Sequence, residues 1–225
     1  ENELKDLILK IKDKKIDGIN VTVPFKKSVV PFLDQLSPEA ESTQSVNTIC
    51  LNNKKIFGHN TDAKGFELGI KKLRYDVSGK KVLILGAGGV VPSIIFALNK
   101  MNASQITISN RTKDKAEDLK NLFKNLNVVN WREIPKSDMI INATSLGLNK
   151  NDELNFDFSK IGKNKFFYDV IYSPKETNFL KNAKNFGHIT ENGKLMFVYQ
   201  ALVAFNLWHG IKPEINDDVI KLLES

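Results

Sequence analysis

Apolar and polar positions along this chain alternate with two periods. Over residues 3–12, Leu4, Leu7, Ile8 and Ile11 fall at helical spacing, which predicts an amphipathic helix. In the stretch INVTVPFKK, residues 19–27, Ile19, Val21 and Val23 alternate with Asn20 and Thr22. That is the period of a strand with one face in a core, and Pro24 ends its ladder just before Lys26. Pro31-Phe32-Leu33 reads as a short helical stretch ending near Ser37-Pro38. SVNTICLNN and KKIFGHNTD read as two strands joined by a turn at Asn52-Asn53. A helix is predicted over 63–74, followed by the hinge-like DVSGK.

From Lys81 the pattern changes. KVLIL is a continuous apolar run, as in a strand buried on both faces. A helix over 90–101, the strand QITIS and a helix over 113–124 follow. Then come strands VVNW, MIINAT and FFYDVIY, and a helix near 176–186. Strands alternating with helices predict a parallel sheet with right-handed crossovers. The segment 195–208, LMFVYQALVAFNLW, is apolar nearly all round. It is too short to span a bilayer and reads as a core helix stopped at Gly210, with Gln200 an isolated polar residue within it. A last short helix is expected from Asn216, with Asp217 and Asp218 in its first turn.

The sequence LILGAGGVVPS sets Gly86, Ala87, Gly88 and Gly89 between a buried strand and a helix. Small residues there let a backbone approach a pyrophosphate, and the helix N-terminus offers amide donors and a positive dipole end. A plain tight turn is the competing reading, and Val91 stands where a third glycine is usual. The strand-turn-helix-strand context favours a dinucleotide. At the end of the next strand an NAD enzyme places an acid for the ribose hydroxyls. Here Asn110, Arg111 and Thr112 stand instead. Arg111 suits a 2′-phosphate, with Lys115 adding charge, which points to NADP. The alternative is an ordinary helix start, with Asn110 or Thr112 as cap and Arg111 merely exposed.

The formal charge of +7 raises the possibility of nucleic acid. The basic residues are almost all scattered lysines, without an aromatic-basic stripe, so a solvated surface is the preferred reading. A single cysteine, Cys50, excludes an internal disulfide and suits a reducing compartment, so a cytoplasmic location is expected. No window reaches the about 18 uninterrupted apolar residues of a membrane span.

NVTVPFK, VNT, GHNTD, GAGG, NRT, INATSLG and YQA occur here in an order that resembles the shikimate dehydrogenase family, through essentially the whole chain. The resemblance implies a two-lobed α/β enzyme with a Rossmann-type cofactor domain over 63–193. Residues 1–62 and 194–225 would form the substrate-binding domain. It implies NADPH-dependent reduction of 3-dehydroshikimate to shikimate, no nucleic-acid or membrane partner, no metal, and a monomer or homodimer. Lys26 and Asp62 match the catalytic pair. Thr22, Asn47, Tyr172 and Gln200 match substrate ligands, and Ala143, Thr144 and Gly193 join the glycine turn in holding the cofactor. Taken singly, Lys26 could be a solvated side chain, Asp62 a helix cap, and Gln200 a satisfied core amide.

Two departures stand out. The family's opening segment, which carries a first strand and a pair of carboxylate-binding serines, is expected to be missing before Glu1. An open sheet edge is expected there. Pro92 also replaces a frequent basic residue near the cofactor, and His59 an acidic or small one, with no role assigned to it. The alternatives are a quinate/shikimate dehydrogenase using NAD, or a non-catalytic NADP-binding fragment.

Overall fold

A computed structural model describes residues 2–149 and 152–221. The outer bounds expected for the substrate-binding domain, residues 1 and 222–225, lie outside these. Two sheets organise the chain. The first has four strands in the order β1-β3-β4-β2: β1 (Gly18–Asn20), β2 (Gln35–Leu36), β3 (Thr48–Asn52) and β4 (Lys55–His59). β1 pairs antiparallel with β3 alone among the described strands. The second has six parallel strands in the order β10-β9-β8-β5-β6-β7. These are β5 (Lys81–Leu85), β6 (Gln105–Ser109), β7 (Leu126–Val129), β8 (Met139–Asn142), β9 (Phe166–Asp169) and β10 (Ile189–Glu191).

Helix α1 (Asn2–Lys12) buries Ile8 and Ile11 against the first sheet, as its spacing predicts. The second sheet is covered by α4 (Val91–Lys100) and, on its other face, by α6 (Asn178–Asn185). Its central strands are buried on both faces, which accounts for the unbroken apolar runs of KVLIL and MIIN. α3 (Thr61–Lys72) lies along α7 (Lys194–His209), and Trp208 Nε1 of α7 donates to Ile49 O of β3 at 3.1 Å. The apolar helix thus runs from the edge of the parallel sheet to the antiparallel one. Among the described residues no helix is long and apolar enough to cross a membrane.

Several local expectations are corrected. The strand at 19–24 stops at Asn20. Val23 is 66% exposed rather than in the core, because residues 23–29 turn away from the sheet. Ser37-Pro38 starts a helix instead of ending one. Ser37 Oγ accepts from Ala40 N at 3.2 Å and Pro38 opens α2 (Pro38–Thr43), the usual start signal. The hairpin turn falls at Asn53-Lys54, both with positive φ, one residue later than expected. The helix at 113–124 is cut to α5 (Lys113–Glu117) and a 3₁₀ turn, and β7 begins two residues before VVNW. α7 is not buried all round, since Phe197, Ala201 and Phe205 form an exposed stripe.

Candidate active site

Two turns place the central pair. After β1 the chain coils through residues 23–29, and Val46 N donates to Lys26 O at 2.9 Å, which fixes the backbone of the lysine. Asp62 is the second residue of α3. It does not cap that helix; Asn60 does, its Oδ1 accepting from Ala63 N at 3.1 Å. The Asp62 carboxylate is therefore free to face Lys26, whose Nζ donates to its Oδ2 at 2.6 Å. Only 15% and 10% of the two side chains is exposed, so the pair is weakly screened by water.

The second carboxylate oxygen is also held. Asn47 Nδ2 donates to Asp62 Oδ1 at 2.9 Å and to Thr61 Oγ1 at 2.9 Å. The amide oxygen of Asn47 accepts from Thr61 N at 2.7 Å and from Thr48 Oγ1 at 3.2 Å. Asn20 Nδ2 donates to Asn47 O and Thr48 Oγ1, both at 3.1 Å. One carboxylate oxygen is thus given to a cation and the other to an amide whose orientation is itself fixed.

Asn20, Lys26, Asn47 and Asp62 line a cleft of about 520 Å³. Thr22, Lys26, Asn47, Asp62, Tyr172, Gly193 and Gln200, seven residues expected at the site from sequence, all face it. Gln200 is half-buried and its Nε2 donates to Phe197 O, leaving its side chain beside Thr61 at 3.5 Å. Tyr172 stacks on Phe197 with ring centroids 4.5 Å apart. Apolar walls come from Val21, Val90, Val170, Met196, Phe197 and Ala201, none of which was expected at the site; Val21 was expected on the core face. His59 is not in the lining. It stacks on Phe57 at 5.4 Å, and burial lowers its pKa against an opposing pull from Glu39.

The glycine turn opens next to this cleft, with Val90 shared between them. Gly86 has φ +108, and a Cβ there would stand 2.9 Å from Ala143 O and 3.0 Å from Thr144 Cγ2. Ala143 and Thr144 are therefore packed directly against the turn. A methyl group added at Gly88 or Gly89 would have its nearest neighbour 3.8 or 3.6 Å away, so the turn is bare on its outer side. No side chain caps the N-terminus of α4, but Val91 N donates to Gly88 O at 3.0 Å and Pro92 has no N–H, so the amides offered to a ligand are chiefly those of the turn itself. These features fit a dinucleotide pyrophosphate. Arg111 is exposed and has no carboxylate partner among the described residues; Thr112 and Lys115 are exposed beside it, and Asn110 Nδ2 donates to Thr112 O at 2.6 Å. Thr112 occupies the cap position of α5 without a side-chain capping bond.

Comparison with known proteins shows the family. Residues 1–49 match the family model of the shikimate dehydrogenase substrate binding domain, and residues 67–167 match that of shikimate / quinate 5-dehydrogenase. A shikimate dehydrogenase (NADP(+)) from Pelagibacter ubique is 56% identical over 99% of this chain and 84% of its own length. This chain belongs to the shikimate dehydrogenase family. Solved members of the family share its fold. The shikimate dehydrogenase of Aquifex aeolicus is 39% identical with a TM-score of 0.87, covering 99% of this chain and 81% of that one. The Thermus thermophilus enzyme, solved in complex with NADP(H) and shikimate, is 29% identical with a TM-score of 0.87, covering 98% and 82%.

Proposed function

We propose that this chain reduces 3-dehydroshikimate to shikimate with NADPH, a step of aromatic amino-acid biosynthesis, and that Lys26 and Asp62 are its catalytic pair. The observation that carries the reading is the part-buried ion pair of 2.6 Å on the wall of a largely apolar cleft beside a bare glycine turn. Bound NADPH supplies the hydride that turns the carbonyl carbon into a carbinol carbon. The carbonyl oxygen then carries developing negative charge, which a nearby cation stabilises and a proton quenches. Lys26 provides both. Its ammonium gives up one proton to that oxygen and is later reprotonated from water. Asp62 keeps Nζ at one place in the cleft while Asn47 keeps Asp62 in place.

Around that centre, Thr22 and Gln200 serve the substrate hydroxyls, joined by Asn47 when its Nδ2 exchanges the bond to Thr61 Oγ1 for one to the substrate, and the Tyr172 hydroxyl serves its carboxylate. Gly86, Ala87, Gly88 and Gly89 accept the pyrophosphate, with Ala143, Thr144 and Gly193 shaping the neighbouring walls. Arg111, flanked by Asn110, Thr112 and Lys115, holds the 2′-phosphate. Residues 1–62 and 194–225 act as the substrate-binding domain and 63–193 as the cofactor domain, in the cytoplasm, as a monomer or homodimer. The test is NADPH oxidation by the purified protein with 3-dehydroshikimate, run beside quinate with NAD in the reverse direction. Turnover confined to quinate and NAD would reverse the assignment.

A further inference from the structure

At the carboxyl end of the parallel sheet, Leu85 of β5, Asn142 of β8 and Asp169 of β9 stand at one level in adjacent strands. Asp169 and Asn142 are fully buried, and neither belongs to the cleft. The Asp169 carboxylate gathers three neutral donors from two segments. Asn142 Nδ2 reaches both its oxygens at 3.1 Å, Ile171 N reaches Oδ1 at 3.0 Å, and Thr177 Oγ1 reaches Oδ2 at 2.7 Å. Burial pushes its pKa up to about 6, with the bonds from Thr177, Ile171 and Asn142 pulling the other way.

Each donor controls a functional segment. Asn142 Oδ1 accepts from Thr144 N at 3.1 Å and Thr144 Oγ1 at 2.7 Å, and its Nδ2 also donates to Leu146 O at 3.1 Å. That folds the loop 143–147, whose Ala143 and Thr144 press on the glycine turn. Ile171 lies between Val170 and Tyr172, both in the cleft wall. Ile171 O accepts from Gly193 N at 3.2 Å. Thr177 caps α6, its hydroxyl accepting from Leu180 N at 3.4 Å, so the hydroxyl proton is directed at Asp169.

We propose that Asp169 is the positioning residue of the reaction: one buried carboxylate ties the cofactor-side loop 143–147 to the substrate-side segment 170–177 and sets the reacting molecules in mutual register. It touches neither molecule. The inference rests on the functional reading above, and it separates two properties that a general loss of packing would not. Affinity for each ligand depends on its own wall of the cleft. Rate depends on the relative placement of the two walls, where an error of about 1 Å costs on the order of a hundredfold.

The experiment uses Asp169→Asn, Thr177→Val and Thr177→Ser. In the cofactor-free protein, amide hydrogen exchange at Leu146 and Ile171 should accelerate together, by roughly tenfold or more, in Asp169→Asn and Thr177→Val. Thr177→Ser, which keeps the hydroxyl, should restore wild-type exchange. In turnover, kcat should fall roughly a hundredfold in Asp169→Asn. The NADPH dissociation constant, read by fluorescence, should stay within about threefold. The isotope effect with 4-deuterated NADPH should rise as chemistry becomes slower. If Asp169→Asn does not fold, Thr177→Val against Thr177→Ser decides. A lowered Tm with wild-type exchange at Leu146 and Ile171 would reduce Asp169 to a structural residue and overturn the inference. Exchange is read without any cofactor, so it decides the tether even if the wild-type protein failed to turn over. That failure would overturn the functional reading and with it the role in catalysis.

Discussion

Asn60 Nδ2 donates to Ser93 Oγ at 2.9 Å, and both side chains are buried. The bond runs from the cap of α3 to the first turn of α4, and so from the helix that carries Asp62 to the helix that follows the glycine turn. Asn60 Nδ2 also donates to Thr43 Oγ1 at 2.9 Å and Ser45 O at 3.0 Å. Three segments meet at one amide. Ser93 Oγ also donates back to Asn60 Oδ1 at 3.1 Å, so Ser93→Ala keeps the other partners of Asn60, removes two buried bonds and should cost about 1–3 kcal/mol. Urea unfolding should show a lower midpoint at unchanged slope.

Lys26→Ala should lower kcat by about 10²–10⁴, the range of a general acid-base group. KM should change much less, since the proton is delivered in the transition state. Asp62→Asn should lose a comparable amount. The double variant should lose far less than the product of the two, because each residue acts through the other. NADPH binding should survive in all three. A Lys26→Ala enzyme with near-normal kcat would remove the lysine from the mechanism.

Arg111→Ala removes an exposed guanidinium from the end of β6. A charge-assisted contact to phosphate is worth about 1.5–3 kcal/mol. NADPH should therefore bind roughly ten- to a hundredfold more weakly, with NADH little changed. Titration of both cofactors into both proteins checks this, and an equal loss for the two would make Arg111 structural.

Glu67 of α3 is buried and is reached by Lys71 at 2.6 Å, Lys64 at 3.1 Å and Lys100 of α4 at 3.2 Å. Burial pushes its carboxyl pKa up, but the three ammonium groups outweigh that and hold it at about 2. The folded value is below the unfolded one, near 4.3, so the carboxylate adds stability above that pH and loses it as pH falls through about 2. Glu67→Gln should cost about 2 kcal/mol at neutral pH, allowing for the solvent exposure of the lysines. The gap between variant and wild type should close as the pH is lowered towards 2, which unfolding at a series of pH values would show.

The regular elements were legible where a long period or a local start signal fixed them. The spacing of Leu4, Ile8 and Ile11, and the doubly buried run of KVLIL, needed no tertiary information. Ser37-Pro38 was a readable signal of the opposite sense, a cap followed by proline at the first helical position. Val23 misled because alternation cannot show that a chain leaves its sheet after Asn20. The polar centre was legible as residue types in order, through the family likeness. Its geometry was not. Asp62 and Gln200 are 138 positions apart, and the stacking of Tyr172 on Phe197 depends on how α7 docks. Asn60 with Ser93, and Asp169 with Thr177, were hidden for the same reason, since a single polar residue on a buried face does not announce its partner.

The contact between α3 and α7 passes through a position with no side chain. A Cβ on Gly65 would lie 2.8 Å from Met196 O and from the Cβ and N of Gln200. Three residues beyond Asp62, the missing methyl works as a gauge block: it fixes the gap across which Gln200 faces the Lys26–Asp62 pair. The reach of the active site is thus partly written in an atom the chain does not have. A homologue with alanine at this place would have to shift its core helix outward, and would then hold the same polar groups around a wider opening.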